Sequence, residues 1–115
     1  MLETKISAAV EKFKGTVSSA LAVDWIQLIG IIAEVLLPLL QNCFTPEQAA
    51  KRMKRLGFAD KIRLRLALRE RVREDGVVGS RIRPHVSKLV DALEDVAKES
   101  TEDELEQVHQ EAVAI

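Results

Sequence analysis

The chain has 115 residues, 47% of them apolar, and a formal net charge of −1. This length admits one ordinary domain, 1–115, and the apolar fraction excludes a disordered chain. Only 3% of residues are aromatic, so the apolar mass is Leu, Ile, Val and Ala, which favours packed helices over sheets.

The first segment repeats apolar residues at Leu2, Ile6, Ala9/Val10 and Phe13, which puts one stripe on a helix. Gly15 is expected to interrupt it. The second helix starts near Ser18 or at Asp24, where Asp24-Trp25-Ile26-Gln27 has the form of a capping box. From Trp25 to Leu37 this helix is apolar nearly all round, so it must be covered on most sides. Its 16-residue apolar stretch, Trp25–Leu40, is shorter than the roughly 20 residues that cross a bilayer, and it carries Gln27 and Glu34. A buried core helix is the expectation. Pro38 should kink the helix or end it within a turn.

Thr45-Pro46-Glu47-Gln48 is a helix start: Thr45 caps, Pro46 is pre-set for the first helical position, and Gln48 can reach back. That helix runs to Leu56. Gly57 is expected to end it in the left-handed conformation, with Phe58 folding back on Met53. Asp60 then caps a helix with Ile62, Leu64, Leu66, Leu68 and Val72. Residues 62–69 alternate apolar and polar, as a strand would. Their Leu, Arg and Ala composition is helix-forming, and no second strand exists to pair with them. The segment is read as helix.

Gly76-Val77-Val78-Gly79 marks a hinge at 76–79. A further helix begins at Ser80 or Pro84, with a stripe at Val86, Leu89/Val90, Leu93 and Val96/Ala97. Thr101-Glu102-Asp103-Glu104 is a second capping box, opening a last helix through Leu105, Val108, Ala112 and Ile115. The fold class is therefore all-α: a bundle of five to six short helices around an apolar central helix at about 24–41.

Charge is segregated along the chain. Residues 1–50 carry −2, residues 51–88 carry +9 and residues 89–115 carry −8. The candidate polyanion-binding residues are Lys51, Arg52, Lys54, Arg55, Arg63, Arg65, Arg69, Arg71, Arg73, Arg81 and Arg83. A dense Arg/Lys segment binds phosphates through counterion release, and the guanidinium fork suits them. The competing reading has the acidic C-terminal helices neutralise the basic ones, within one chain or between two. A helix-turn-helix over 45–74 is compatible with the glycine joint, but its second helix lacks a clean polar face. Few aromatics lie among the basic residues, which disfavours a base-stacking platform.

Residue sets for chemistry are thin. His85 and His109 belong to no metal-ligand array, and both are expected at the surface. Cys43 is the single cysteine; it excludes a disulfide framework and fits a reducing compartment. With either His it could form a nucleophile pair, but a small packed Cys is the simpler reading. Glu34, a carboxylate in the most apolar helix, is expected to point outward or to meet an Arg of the basic helices.

No catalytic residue, metal ligand or cofactor is expected, and an enzyme is the least expected class. The leading expectation is a helical interaction or assembly protein that self-associates, with the basic segment 51–83 as its partner-binding surface. Trp25, Leu28, Ile32, Val86, Val90, Leu93, Leu105 and Val108 form the candidate core or oligomer stripe. The alternatives are a nucleic-acid-binding protein using the helices of 45–75 and, behind it, a peripheral membrane protein. The opening residues lack the basic-then-apolar order of a secretory signal, so the expected location is cytoplasmic.

Overall fold

The computed structural model describes residues 1–17, 23–74 and 81–115, apart from the side chain of Phe58. Six α-helices lie within these residues, with no strand among them: α1 Leu2–Thr16, α2 Trp25–Gln41, α3 Pro46–Lys54, α4 Phe58–Glu74, α5 Val86–Glu99 and α6 Glu102–Ala114. A 3-10 turn, Arg83–His85, leads into α5. The chain is an all-α bundle, as its sequence requires.

The helix starts are set by local chemistry. Asp24 accepts a hydrogen bond from the backbone N–H of Gln27 at 3.2 Å, and Thr45 accepts from that of Gln48 at 3.1 Å. Each satisfies a donor that the first turn of a helix otherwise leaves unpaired. Thr101 and Glu104 close a complete capping box: the Thr101 hydroxyl accepts from the Glu104 N–H at 3.2 Å, and the Glu104 carboxylate accepts from the Thr101 N–H at 3.2 Å. Pro38 lies inside α2, which ends three residues later at Gln41, within the turn expected.

Two glycines act differently from expectation. Gly15 does not interrupt α1, which runs on to Thr16 before Val17 turns extended. Gly57 does not end α3 in a left-handed turn. The helix stops at Lys54, with the Arg55 N–H donating to the Lys51 carbonyl at 3.1 Å. The Gly57 carbonyl instead accepts from the Lys61 N–H at 3.0 Å, so Gly57 opens α4 and Asp60 sits in its first turn. A short two-helix joint leaves Gly57 serving the helix that follows rather than the one before. The expected contact of Phe58 with Met53, a helix start at Ser18 and the hinge at 76–79 lie outside the described residues.

The core is one continuous cluster with a small satellite. Ile6, Val10 and Phe13 of α1, Leu28, Ile31 and Ile32 of α2, Leu64, Leu68 and Val72 of α4, and Val86, Leu89 and Val90 of α5 are all buried. Leu40, Val108 and Ala112 form the satellite, against Leu37 and Met53. α2 packs on α1, α4 and α6, while α5 packs on α1, α3 and α4. α2 is nevertheless incompletely covered. Ile26 is 84% exposed, and Ile29, Ala33, Val35, Leu36, Leu37 and Leu39 are half-buried. α5 is the more thoroughly buried helix, with Val86, Leu89, Val90, Ala92, Glu94 and Val96 inside. α2 has nonetheless kept its carboxylate outward: Glu34 is exposed and pairs with Arg71 of α4, as the sequence suggested.

The alternation in α4 resolves on the helix. Leu64, Leu68 and Val72 follow one another at four-residue steps and face the core. Ile62 and Leu66 are two residues out of phase with that row, and they stay exposed at 37% and 59%. The helix therefore carries two apolar rows, one on each side.

Candidate interaction surface

The basic segment is only partly neutralised by the rest of the chain. Arg52 of α3 donates to both carboxylate oxygens of Asp60, at 3.2 and 2.7 Å, tying α3 to the first turn of α4. This pair raises the Arg52 pKa and holds Asp60 below the usual carboxylate range. Lys61 Nζ lies 2.6 Å from Glu94 of α5, an ion pair off the line of an ideal hydrogen bond, and Arg65 lies 3.8 Å from Asp91. Arg71 meets Glu34 of α2 and, at 3.3 Å, Glu74. Glu94 is itself buried between Lys61 and Lys98, and these two cations lower its pKa despite the burial.

These pairs lie on the flanks of α4, beside its core row. Lys51, Lys54, Arg55, Arg63, Arg69, Arg73 and Arg83 make no ion pair among the described residues. Arg81 is exposed and has a partner. The C-terminal acids are divided between two neighbours: Glu94 and Asp91 hold α4, while Glu104 and Glu99 meet Lys5 and Lys12 of α1, and Glu111 meets the N-terminal amine. Lys5, with the Thr101 cap, lowers the Glu104 pKa to about 2.

The surface that results is a stripe along the outer side of α4. Ile62, Leu66, Arg69 and Arg73 succeed one another at steps of four, three and four residues, so they share one face. Arg63 and Glu70 flank the stripe, and all six side chains are exposed. The exposed apolar pair is the part that sequence reasoning missed. Its signal was present in the alternation of residues 62–69, once that pattern is drawn on a helix instead of a strand.

The candidate core stripe belongs to the core of this chain. Leu28, Ile32, Val86, Val90, Leu105 and Val108 are buried, and Trp25 and Leu93 are half-buried. Trp25 meets Phe13 edge-on at 6.3 Å, under the Lys14 ammonium. The regular stripes of α5 and α6 are therefore occupied within the chain, which leaves other faces for contact between chains.

The histidines correct expectation. His109 is buried at 4% exposure, its Nε2 3.1 Å from the Cys43 carbonyl oxygen and its Nδ1 without a partner. His85 is half-buried and lies edge-on to Phe13 at 6.4 Å. Both serve packing, because their rings fall on the inner sides of α6 and of the turn before α5. Cys43 is half-buried and its thiol faces the Leu39 carbonyl at 3.6 Å, so His109 approaches the cysteine's backbone rather than its sulfur. Among the described residues there is no group of three or more His, Cys, Asp or Glu side chains able to hold a metal ion, and no helix is long and apolar enough to cross a membrane. An apolar crevice of about 70 Å³ lies between the helices, bordered by Ile6, Leu40, Met53, Leu64 and Val108, with Lys5 as its one charged neighbour.

No protein-family model, curated protein or solved structure matches the chain.

Proposed function

We propose that the chain is a non-enzymatic interaction protein that self-associates, and that the outer face of α4 is its binding surface. The observation that carries this reading is the exposure of Ile62 and Leu66 beside Arg63, Arg69 and Arg73, none of the three arginines having an ion-pair partner among the described residues. An apolar row rimmed by unpaired cations is suited to a protein surface that offers apolar contact and carboxylates together, since charge selects the partner and apolar burial holds it.

Nucleic acid is the second reading, supported by the seven Lys and Arg side chains of residues 51–83 that have no ion pair among the described residues. The isoleucine and leucine of the N-terminal half of the α4 stripe fit a phosphate backbone poorly, which places this reading behind the first.

Light scattering after gel filtration, at low and high salt, tests the proposal. The expected result is a species larger than the monomer at low salt that Leu66→Glu reduces to a monomer, with unchanged helicity. A clean monomer for the unmodified chain at both salts, at every concentration, would overturn it. Nucleic acid co-purifying with the chain and lost on Arg69→Ala/Arg73→Ala substitution would replace it with the second reading.

A further inference from the structure

A second stripe on the same chain complements the first. On α6, Leu105, Val108, His109 and Ala112 face inward, while Glu102, Gln110 and Val113 are exposed along one flank with Glu106 half-buried among them and Asp103 beside them. Val113 is 54% exposed, and Glu102, Asp103 and Glu106 have no ion-pair partner among the described residues. Read from its N-terminus, the α4 stripe is apolar and then basic: Ile62, Leu66, Arg69, Arg73. Read the same way, the α6 stripe is acidic, then polar, then apolar: Glu102, Glu106, Gln110, Val113.

Laid antiparallel, the two stripes match at their ends and at the second basic position, and Leu66 falls beside Gln110. Ile62 and Val113 coincide at one end and Arg73 and Glu102 at the other, with Arg69 opposite Glu106. Both stripes span about 16 Å, at roughly 1.5 Å rise per residue. Both helices pack on α2, α4 also on α5 and α6 also on α3, and each stripe lies at the surface, with Glu106 half-buried among exposed neighbours. One chain's α4 stripe therefore needs the α6 stripe of another.

We infer that the chain assembles head to tail, the outer face of α4 on one copy docking antiparallel on the outer face of α6 of the next. This rests on the reading of α4 as the binding surface and names what it binds: a second copy. Pairing α4 with α4 antiparallel across a two-fold axis would instead set Arg73 against Ile62 and Arg69 against Leu66, cation on apolar, with only Glu70 to offset the four arginines, which electrostatic complementarity disfavours. A contact between two different faces leaves a free face at each end, so it propagates until a ring closes or a filament grows.

Charge reversal tests this through complementation. Arg69→Glu/Arg73→Glu disables one face and Glu102→Arg/Glu106→Arg the other. Sedimentation velocity at low salt is expected to show each double variant as a monomer, their equimolar mixture as a 1:1 dimer that goes no further, and the quadruple variant as an assembly again. Should Glu102→Arg/Glu106→Arg lose helicity by circular dichroism, Glu102→Gln/Glu106→Gln replaces it, with a tenfold or greater weakening of association expected. Assembly that survives reversal or neutralisation of the α6 acids but is lost on reversal of the α4 arginines would overturn the inference and leave α4 as the binding surface of another partner. An unmodified chain that stays monomeric throughout would overturn both. Failure of the mixture to form the dimer, with both double variants folded, would likewise overturn the head-to-tail arrangement.

Discussion

Glu104 shows how much one side chain can carry without being buried. Its carboxylate accepts from the Thr101 backbone N–H, meets the Thr101 hydroxyl at 3.0 Å and pairs with Lys5 of α1. One residue thus starts a helix and ties that helix to the N-terminal one. Its pKa falls from the ordinary 4.5 to about 2, with the Lys5 contact as the largest cause. A carboxyl with a lowered folded-state pKa contributes stability that is complete above its unfolded pKa and is lost as pH falls through the folded one. Acid unfolding should therefore steepen between pH 4.5 and about 2, and Glu104→Gln should flatten that part of the stability-against-pH curve, as measured by urea titration at successive pH values. Glu94 and Asp60 act in the same direction, Glu94 lowered chiefly by Lys61 and Asp60 chiefly by Arg52. At Thr101, substitution by Ala removes the reciprocal cap and should cost about 1 kcal/mol in the same assay at neutral pH. No change on Thr101→Ala would show that α6 is held by packing alone.

At the scale of the element, α4 makes the clearest prediction. Leu64→Ala and Leu68→Ala should each cost about 2–5 kcal/mol, because they empty core positions. Ile62→Ala and Leu66→Ala should each cost less than about 1 kcal/mol, because those side chains are already in water. Equal costs along the whole alternating series would contradict the two-row helix. The same element shows what the sequence could and could not convey. Its helicity followed from composition, and the caps at Asp24, Thr45 and Thr101 followed from contacts only three residues long. Glu34 could be placed outside because a lone carboxylate in an apolar helix has few other stable positions. By contrast, the spacing of His109, four residues after Leu105 and three before Ala112, does place it on the inner face, but its contact with the Cys43 carbonyl depends on where the α2–α3 joint falls in space. The role of Gly57 was missed for a related reason: a glycine between two helices can serve either, and only the hydrogen bond from Lys61 assigns it. The candidate binding stripe combined both cases, since its residues were visible as basic or apolar, but which of them pointed outward was a matter of packing.

At the scale of the molecule, the six helices of the described residues close around a core that is not completely filled. The apolar crevice of about 70 Å³ touches side chains from every helix. At roughly 24 cal/mol per Å³, an enclosed void of that size would cost on the order of 1–2 kcal/mol, an upper bound here because the crevice opens to the surface. Val108→Ile, which adds one methylene at its edge without changing helix class, should raise stability by about 0.5–1 kcal/mol by chemical denaturation. A loss on this substitution would mean that the wall around Val108 is already tightly packed. The uneven burial of α2 belongs to the same scale. A chain of 115 residues spreads its apolar surface over six helices, and α2, the most apolar, still exposes Ile26 almost fully.

The two apolar rows of α4 make its rotation about its own axis a variable that folding has to fix. Turned by about 160°, at roughly 100° per residue, the helix would present Ile62 and Leu66 to the core in place of Leu64 and Leu68. Near its N-terminal end the two orientations offer similar apolar volume. Further along, the turned helix would drive Arg69 and Arg73 inward, where unpaired guanidinium groups cannot stay. The pairs Arg52–Asp60, Lys61–Glu94, Arg65–Asp91 and Arg71–Glu34 then act as stops on both flanks, spaced along the helix from its first turn to its last. α4 is in this sense a dial with two settings, and its charges, rather than its leucines, select the one that leaves a second row facing out.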